Sequence, residues 1–370
     1  MAVITAVRAQ PRNGSVWRVA ACSCVSLIVA GSMPVPAAAQ QARAANAPIA
    51  AAALAGAPVT LDVRPIDSFS RANPFAKRFG RLEFLGGLVL ASDAEGFGGW
   101  SDLVIDADGG RVLMVSDDGH WLTARFTYNA GRLAGLDGAR MGPLTARSGR
   151  VLGHKREADA EGLALLSGTL AGGEVAISFE RIHRVGRFRI GPGGLTGPLA
   201  YLPMPDAAKK LAKNSGIEAV ALLKAGPMAG ALVVFAERRR KRDGEDAGRQ
   251  GWLIRNGRTD ALTVADRGGL DISGATGLPD GSLVLLERHF SWTTGLNVRL
   301  RRIPATAIRP GAVLDGDVLL EADLTNDIDN MEGVTAHVGR DGRTVLTLVS
   351  DDNFRKALQR TLVLQFAIVK

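Results

Sequence analysis

NMEGVTAH (330–337), followed a few residues later by LTLVSDD (346–352), is an apolar strand opened by an acidic residue and a second strand closed by one. The chain repeats this pair five times. The other openings are GGWSDLVI (98–105), DAEGLALL (159–166), GIEAVALL (216–223) and DISGATGL (271–278), and their partners are VLMVSDD (112–118), VAISFE (175–180), LVVFAE (232–237) and LVLLE (283–287). The equivalent residues Ser101, Glu161, Glu218, Ser273 and Glu332 are 60, 57, 55 and 59 apart. One small sheet cannot bury both of its faces. Short strands with a period near this length therefore predict a radial array, a β-propeller.

Two further strands follow each carboxylate. They are expected near 122–128 and 140–144, 184–190 and 199–203, 252–255 and 261–264, and 298–303 and 318–321. Turn signals such as Asp108-Gly109-Gly110, Gly172-Gly173, Pro279-Asp280-Gly281 and Asp341-Gly342 separate the strands. Each repeat thus reads as a four-stranded antiparallel blade. The fifth copy has only one more strand, 359–368. Residues 81–90 are available to complete it, which would close the ring and remove its edges. The count is five blades, or six if residues 59–90 hold more than one strand. A strand at 59–66 and a short surface helix at 206–213 are also expected. Arg238–Arg242 (RRRKR) reads as a solvated excursion between strands, or as a basic rim.

The first 39 residues read as a cleaved secretory signal. Arg8, Arg12 and Arg18 precede or open a short apolar stretch, Pro34 and Pro36 break it, and Ala37 and Ala39 form a small-x-small site before Gln40. That stretch is too short for a membrane span. Val19-Ala20-Ala21-Cys22 only loosely resembles a lipoprotein box, because the apolar run follows the cysteine. Residues 40–58 read as a flexible Ala-rich leader, and 59–370 as one propeller domain. Both cysteines, Cys22 and Cys24, fall in the signal, so thiol catalysis and disulfides are not expected. The expected location is periplasmic or secreted. Removing residues 1–39 takes away three arginines and no acid, so the net charge falls from +8 to +5. That suits a small anionic ligand and is far from a nucleic-acid footprint. Nothing in the sequence indicates an oligomeric state.

In a hairpin the start of one strand lies beside the end of the other. This puts Ser101, Glu161, Glu218, Ser273 and Glu332 on the same face as Asp118, Glu180, Glu237, Glu287 and Asp352. Up to eight carboxylates would ring one axial opening. Their repulsion raises pKa values unless cations sit among them, and oxygen-only positions suit a hard ion, calcium above all. Arginines and histidines follow directly: Arg181, His183 and Arg184 after Glu180, Arg238 after Glu237, Arg288 and His289 after Glu287, Arg360 after Asp352. Carboxylates for a cation beside guanidinium forks for an anion suit a phosphate ester. A structural reading stands beside this, in which each acid caps the next blade's backbone and each arginine pairs with an acid. No His-x-His, His-Glu-x-x-His, Gly-x-Ser-x-Gly or Walker pattern is present.

The chain resembles the bacterial phytase-like family described as having "esterase-like activity of phytase". The resemblance is carried by Phe97-Gly98-Gly99-Trp100-Ser101, Val115-Ser116-Asp117-Asp118-Gly119, Asp159-Ala160-Glu161-Gly162-Leu163 and Ser178-Phe179-Glu180-Arg181 with His183-Arg184. It continues in Gly216-Ile217-Glu218-Ala219, Leu278-Pro279-Asp280-Gly281 with Leu286-Glu287-Arg288, and Asp329-Asn330-Met331-Glu332-Gly333. Ser350-Asp351-Asp352-Asn353-Phe354 followed by Leu358-Gln359-Arg360-Thr361-Leu362 is its most specific part. The resemblance implies a calcium-dependent ester or phosphate-ester hydrolase on a propeller. On that expectation calcium is held among Asp118, Glu161, Glu218, Glu332 and Asp352. Arg181, Arg184, Arg238, Arg288 and Arg360 receive the anion, Glu180 or Glu287 serves as general base, and His183 or His289 as proton donor. The rival readings are a ligand- or protein-binding propeller without chemistry, and a lactonase-like calcium hydrolase.

Overall fold

A computed structural model of the protein describes residues 56–211, 216–242 and 245–369, with backbone only for 238–242 and 245–247. Five small antiparallel sheets follow one another as the blades of a β-propeller. The innermost strands are Trp100–Ile105, Ala160–Thr169, Ile217–Leu222, Asp271–Gly277 and Asn330–Val338, and each packs against the next in a closed ring of five. The expected signal segment, residues 1–39, and nearly all of the leader lie outside the described residues. The leader's last residues are not free: Ala57–Pro58 pair with Met141 and Arg140 as an outer strand of the first blade.

Five clusters of buried apolar side chains hold the ring, one between each pair of neighbouring blades. Burial on both faces explains why the inner strands are rich in apolar residues; all six residues of Trp100–Ile105 are buried. Where neighbouring inner strands come closest, only glycine fits. A Cβ on Gly162 would lie 2.8 Å from the Val220 nitrogen, and one on Gly333 would lie 2.6 Å from the Asp102 Cα. Sequential strands of a blade run outward by hairpins, as in Ala160–Thr169, Gly172–Phe179, Arg184–Gly191 and Gly194–Tyr201 of the second blade.

The fifth blade is built from both ends of the chain. Leu82–Ala91 pairs antiparallel with Thr361–Ile368, from Thr361 opposite Leu90 to Ile368 opposite Leu82. Asp62–Ile66 adds to the outer side of the same sheet. Residues 59–90 therefore hold more than one strand without making a sixth blade. Phe69, Phe84 and Phe366 pack together at this closure, with ring centroids 5.0–5.7 Å apart. The surface helix is shorter than expected, Asp206–Lys209. The basic run is no excursion: Leu232–Arg242 is one continuous strand.

Candidate metal centre and substrate mouth

Every inner strand slips register at the same place. Trp100 faces Ser116 but Asp102 faces Val115; the same break separates Ile217 from Ala219, Ile272 from Gly274 and Met331 from Gly333, and it recurs opposite Ile177 and Phe179. The residue at the break is Ser101, Glu161, Glu218, Ser273 or Glu332. A bulge of this kind bends the strand and re-aims a side chain. On the partner strands the residue just beyond the last common pair is Asp117, Glu180, Glu237, Arg288 or Asp351.

All of these except Ser273 line a cavity of about 230 Å³ at one end of the axis. Eight carboxylates face it. Glu161, Glu218 and Glu332 come from bulges, Asp117, Glu180 and Asp351 from strand ends, Glu237 from the middle of its strand, and Asp159 from the segment entering the second blade. Three cations, Lys155, Arg181 and Arg288, stand among them. Arg288 grips Glu332 with both arms of its fork, Nε to Oε2 at 3.0 Å and Nη2 to Oε1 at 2.7 Å. Arg181 Nε donates to Asp159 at 2.7 Å, and Lys155 bridges Asp159 at 3.2 Å and Asp117.

The acids crowd together. One oxygen from each of Asp159, Glu161 and Glu180 lies within 4.8 Å of the others, and the same holds for Glu180, Glu218 and Glu237. Burial, then the Glu218 and Asp159 charges, pushes Glu161 far above the usual carboxylate range. Burial, then Glu237 and Glu180, does the same to Glu218. Burial and Asp159 raise Glu180 to about 7, and burial and Glu332 raise Asp351 to about 8. Asp117 Oδ1 is buried without a hydrogen-bond partner among the described residues. Such a set fits a hard cation: all donors are oxygen, the spacing is that of ligands around one ion, and a cation would remove the repulsion.

The structure gathers Glu161, Glu218, Glu332, Glu180, Arg181 and Arg288 at this cavity and places Asp118, Asp352, Glu287, His183, His289, Arg184 and Arg360 elsewhere. Asp118 and Asp352 are one residue too far along. In a strand, one step turns the side chain to the other face. Asp118 is half exposed near His120, and Asp352 is buried, accepting from the backbone N–H of Gly99 and Phe354, each at 3.1 Å. Their neighbours Asp117 and Asp351 take the cavity positions. The same step removes Glu287, which is sealed in the joint between the third and fourth blades against the fully buried Arg301. His289 is exposed along a separate groove. His183 bonds the Leu211 carbonyl through Nε2 at 3.0 Å, and Arg184 stacks on Phe179 at 3.9 Å. Arg360 pairs with Asp327 at 2.9 Å beside the mouth. The Arg238 side chain lies outside the described residues.

Asp117, Asp159, Asp351 and Lys155 were not expected at the site. A signal existed for Asp351: Glu161 to Glu180, Glu218 to Glu237 and Glu332 to Asp351 are each 19 residues apart. Of the cavity acids, Glu180 also caps a neighbouring blade, accepting from the Gly216 N–H at 3.5 Å, and other groups cap elsewhere. Asp102 Oδ2 accepts from the Leu163 N–H at 2.7 Å, and Asp106 Oδ1 from that of Leu170 at 2.7 Å.

A family model described as phytase-like, "esterase-like activity of phytase", matches residues 95–354. The chain belongs to this family. The matched span runs from just before the first inner strand to the loop after Asp351, so it contains every cavity residue. Membership of the phytase-like family points to a hydrolase-type propeller. No curated protein matches the chain significantly. Among the described residues no helix is long and apolar enough to cross a membrane.

Proposed function

We propose that the protein is an exported, calcium-assisted hydrolase of a phosphate ester or a related small anionic ester, working at the acidic mouth of the propeller. The observation that carries this is the pair of oxygen-only sets, Asp159–Glu161–Glu180 and Glu180–Glu218–Glu237, which share Glu180. These residues would hold the cation. Bound there, it would polarise the ester's phosphoryl oxygen and acidify a water. Arg181 and Lys155 on one side and Arg288 on the other orient the anion in place of free solvent. Glu180, central to both sets, takes the proton of the attacking water as its oxygen bonds to phosphorus and the bond to the leaving oxygen breaks. No histidine lines the cavity. The proton for the leaving oxygen therefore comes from a cavity carboxylic acid, Asp351.

The test is turnover of p-nitrophenyl phosphate, p-nitrophenyl acetate and a simple lactone, each with calcium and with chelator. Calcium-dependent release from the phosphate ester, abolished in Glu180→Gln with the fold retained, is the expected result. Preference for the lactone would move the substrate class. Silence on all three with calcium bound would leave a ligand-binding propeller.

A further inference from the structure

The register slip of the fourth blade has an effect beyond the mouth. Because Arg288 rather than Glu287 faces the cavity, alternation carries Phe290 and Trp292 to the same side, while His289, Ser291 and Thr293 line the opposite groove. Phe290 and Trp292 form an edge-to-face pair with centroids 5.5 Å apart, and Trp292 is 95% exposed. Leu358, 81% exposed, and the exposed Leu324 lie along the same groove of about 760 Å³. Large apolar side chains gathered in one exposed place mark a binding surface, whereas scattered ones do not. The groove is continuous with the mouth, since Arg288, Glu332 and Asn353 line both.

Its charge is opposite to that of the mouth. Arg71, Arg288, Arg355 and Arg360 line it against Asp329 and Glu332. Asp327 anchors Arg71 at 3.3 Å and Arg360 at 2.9 Å, and Arg355 has no side-chain partner among the described residues. Without a cation the carboxylates of the mouth repel an anion; with one held there, the anion is drawn to the junction of mouth and groove, where Arg288 lines both. The backbone between the two is strained: Asn353 and Phe354 both have positive φ, 48° and 54°, and hydrogen bonds from their N–H groups to Asp351 and Asp352 hold them there.

We infer that this groove is the subsite for the organic part of the substrate, and that the preferred ester carries an aromatic or comparably bulky apolar group next to its anionic centre. This rests on the mouth being the place where the anionic centre binds. The aromatic pair would stack on the apolar group while Arg288 holds the anion, which disfavours a small, uniformly charged polyphosphate.

The experiment compares a matched pair of non-hydrolysable probes, 1-naphthylmethylphosphonate and methylphosphonate, titrated in the presence of calcium with the intact protein and with Trp292→Ala. Trp292 is exposed, so the variant should melt like the parent. The parent should bind the naphthyl probe at least about tenfold more tightly than the methyl probe. Trp292→Ala should lose most of that ratio, with methylphosphonate unchanged. Naphthyl binding should also quench tryptophan fluorescence in the parent only, because Trp100, Trp121 and Trp252 are buried and Trp17 falls in the expected signal segment. An unchanged ratio in the variant, equal weakening of both probes, or no preference in the parent would overturn the inference. Turnover separates the two readings. Discrimination without hydrolysis of 1-naphthyl phosphate retains the groove and removes the catalytic role. Hydrolysis of that ester with the same KM in parent and variant does the reverse.

Discussion

Replacing Glu161 by Gln should make the calcium-free protein more stable at pH 8 and the calcium-bound protein less so. The Glu161 carboxylate has oxygens within 4.8 Å of those of Asp159 and Glu180. At an effective dielectric constant near 20, one such pair of charges costs about 3 kcal/mol. The sign follows from the raised pKa of Glu161. A carboxyl whose folded pKa lies above its unfolded value contributes stability that is complete below pH ~4 and is lost as pH rises through the folded pKa. At pH 8 much of that loss is present, and glutamine cannot incur it. With roughly 300 described residues and an unfolding entropy near 2 cal/mol/K per residue, 3 kcal/mol corresponds to about 5 °C in Tm. At pH 4.5 parent and variant should nearly coincide. Calcium at ~1,000 times its Kd adds about 4 kcal/mol to the parent and far less to a variant missing a ligand. Thermal melts at pH 4.5 and 8, with chelator and with calcium, should therefore show the order of the two proteins reversing at pH 8. A variant that melts below the parent in chelator at pH 8, or that gains as much from calcium, would refute both the crowding and the ligand set.

Two other tests act away from the mouth. His337 is held down to about 4 by burial and by the Lys224 charge, so its neutral form is the native one. Stability should fall by roughly 3 kcal/mol as pH drops from about 6.5 through 4, and His337→Gln should flatten that part of a urea-midpoint profile against pH. In the joint between the third and fourth blades, Arg301→Met alone should cost about 3–5 kcal/mol in urea unfolding, because it strands the Glu287 charge, and Arg301→Met with Glu287→Leu should recover most of it. Neither change should alter calcium binding.

The propeller was legible because each blade carries the same two-strand phrase at nearly constant spacing. The closing strand was legible as a missing one: the last copy is short, and Leu82–Ala91 stands unassigned at the other end of the chain. The bulge glutamates were legible for the same reason, since Glu161, Glu218 and Glu332 occupy one position of the phrase. The facing ring was not. In Asp117-Asp118 and Asp351-Asp352 the last acid looks like the end of the strand, yet the register slip brings the first to the axis. Glu287-Arg288 obeys the same rule with the opposite charge. A bulge has no residue signature of its own, so sequence alone leaves the face undecided by one position.

The five-fold frame also shows why the acids are not simply joints between blades. A joint that every blade needs would carry one residue type at all five bulges, whereas two of them hold serine. Ser273 does serve as a joint, donating to the Met331 carbonyl at 3.0 Å. The glutamates at the other three leave the capping to Asp102 and Asp106 and face one another across the opening. At the other end, inward residues such as Val104, Leu163, Val220 and Thr335 narrow the axis to a space of about 60 Å³. The asymmetry that concentrates acids on the second and third blades, and Arg288 with its aromatic neighbours on the fourth, aligns the bound ester in one direction. Its anionic centre would face the cation held among the glutamates of the mouth, and its organic part would extend toward Trp292.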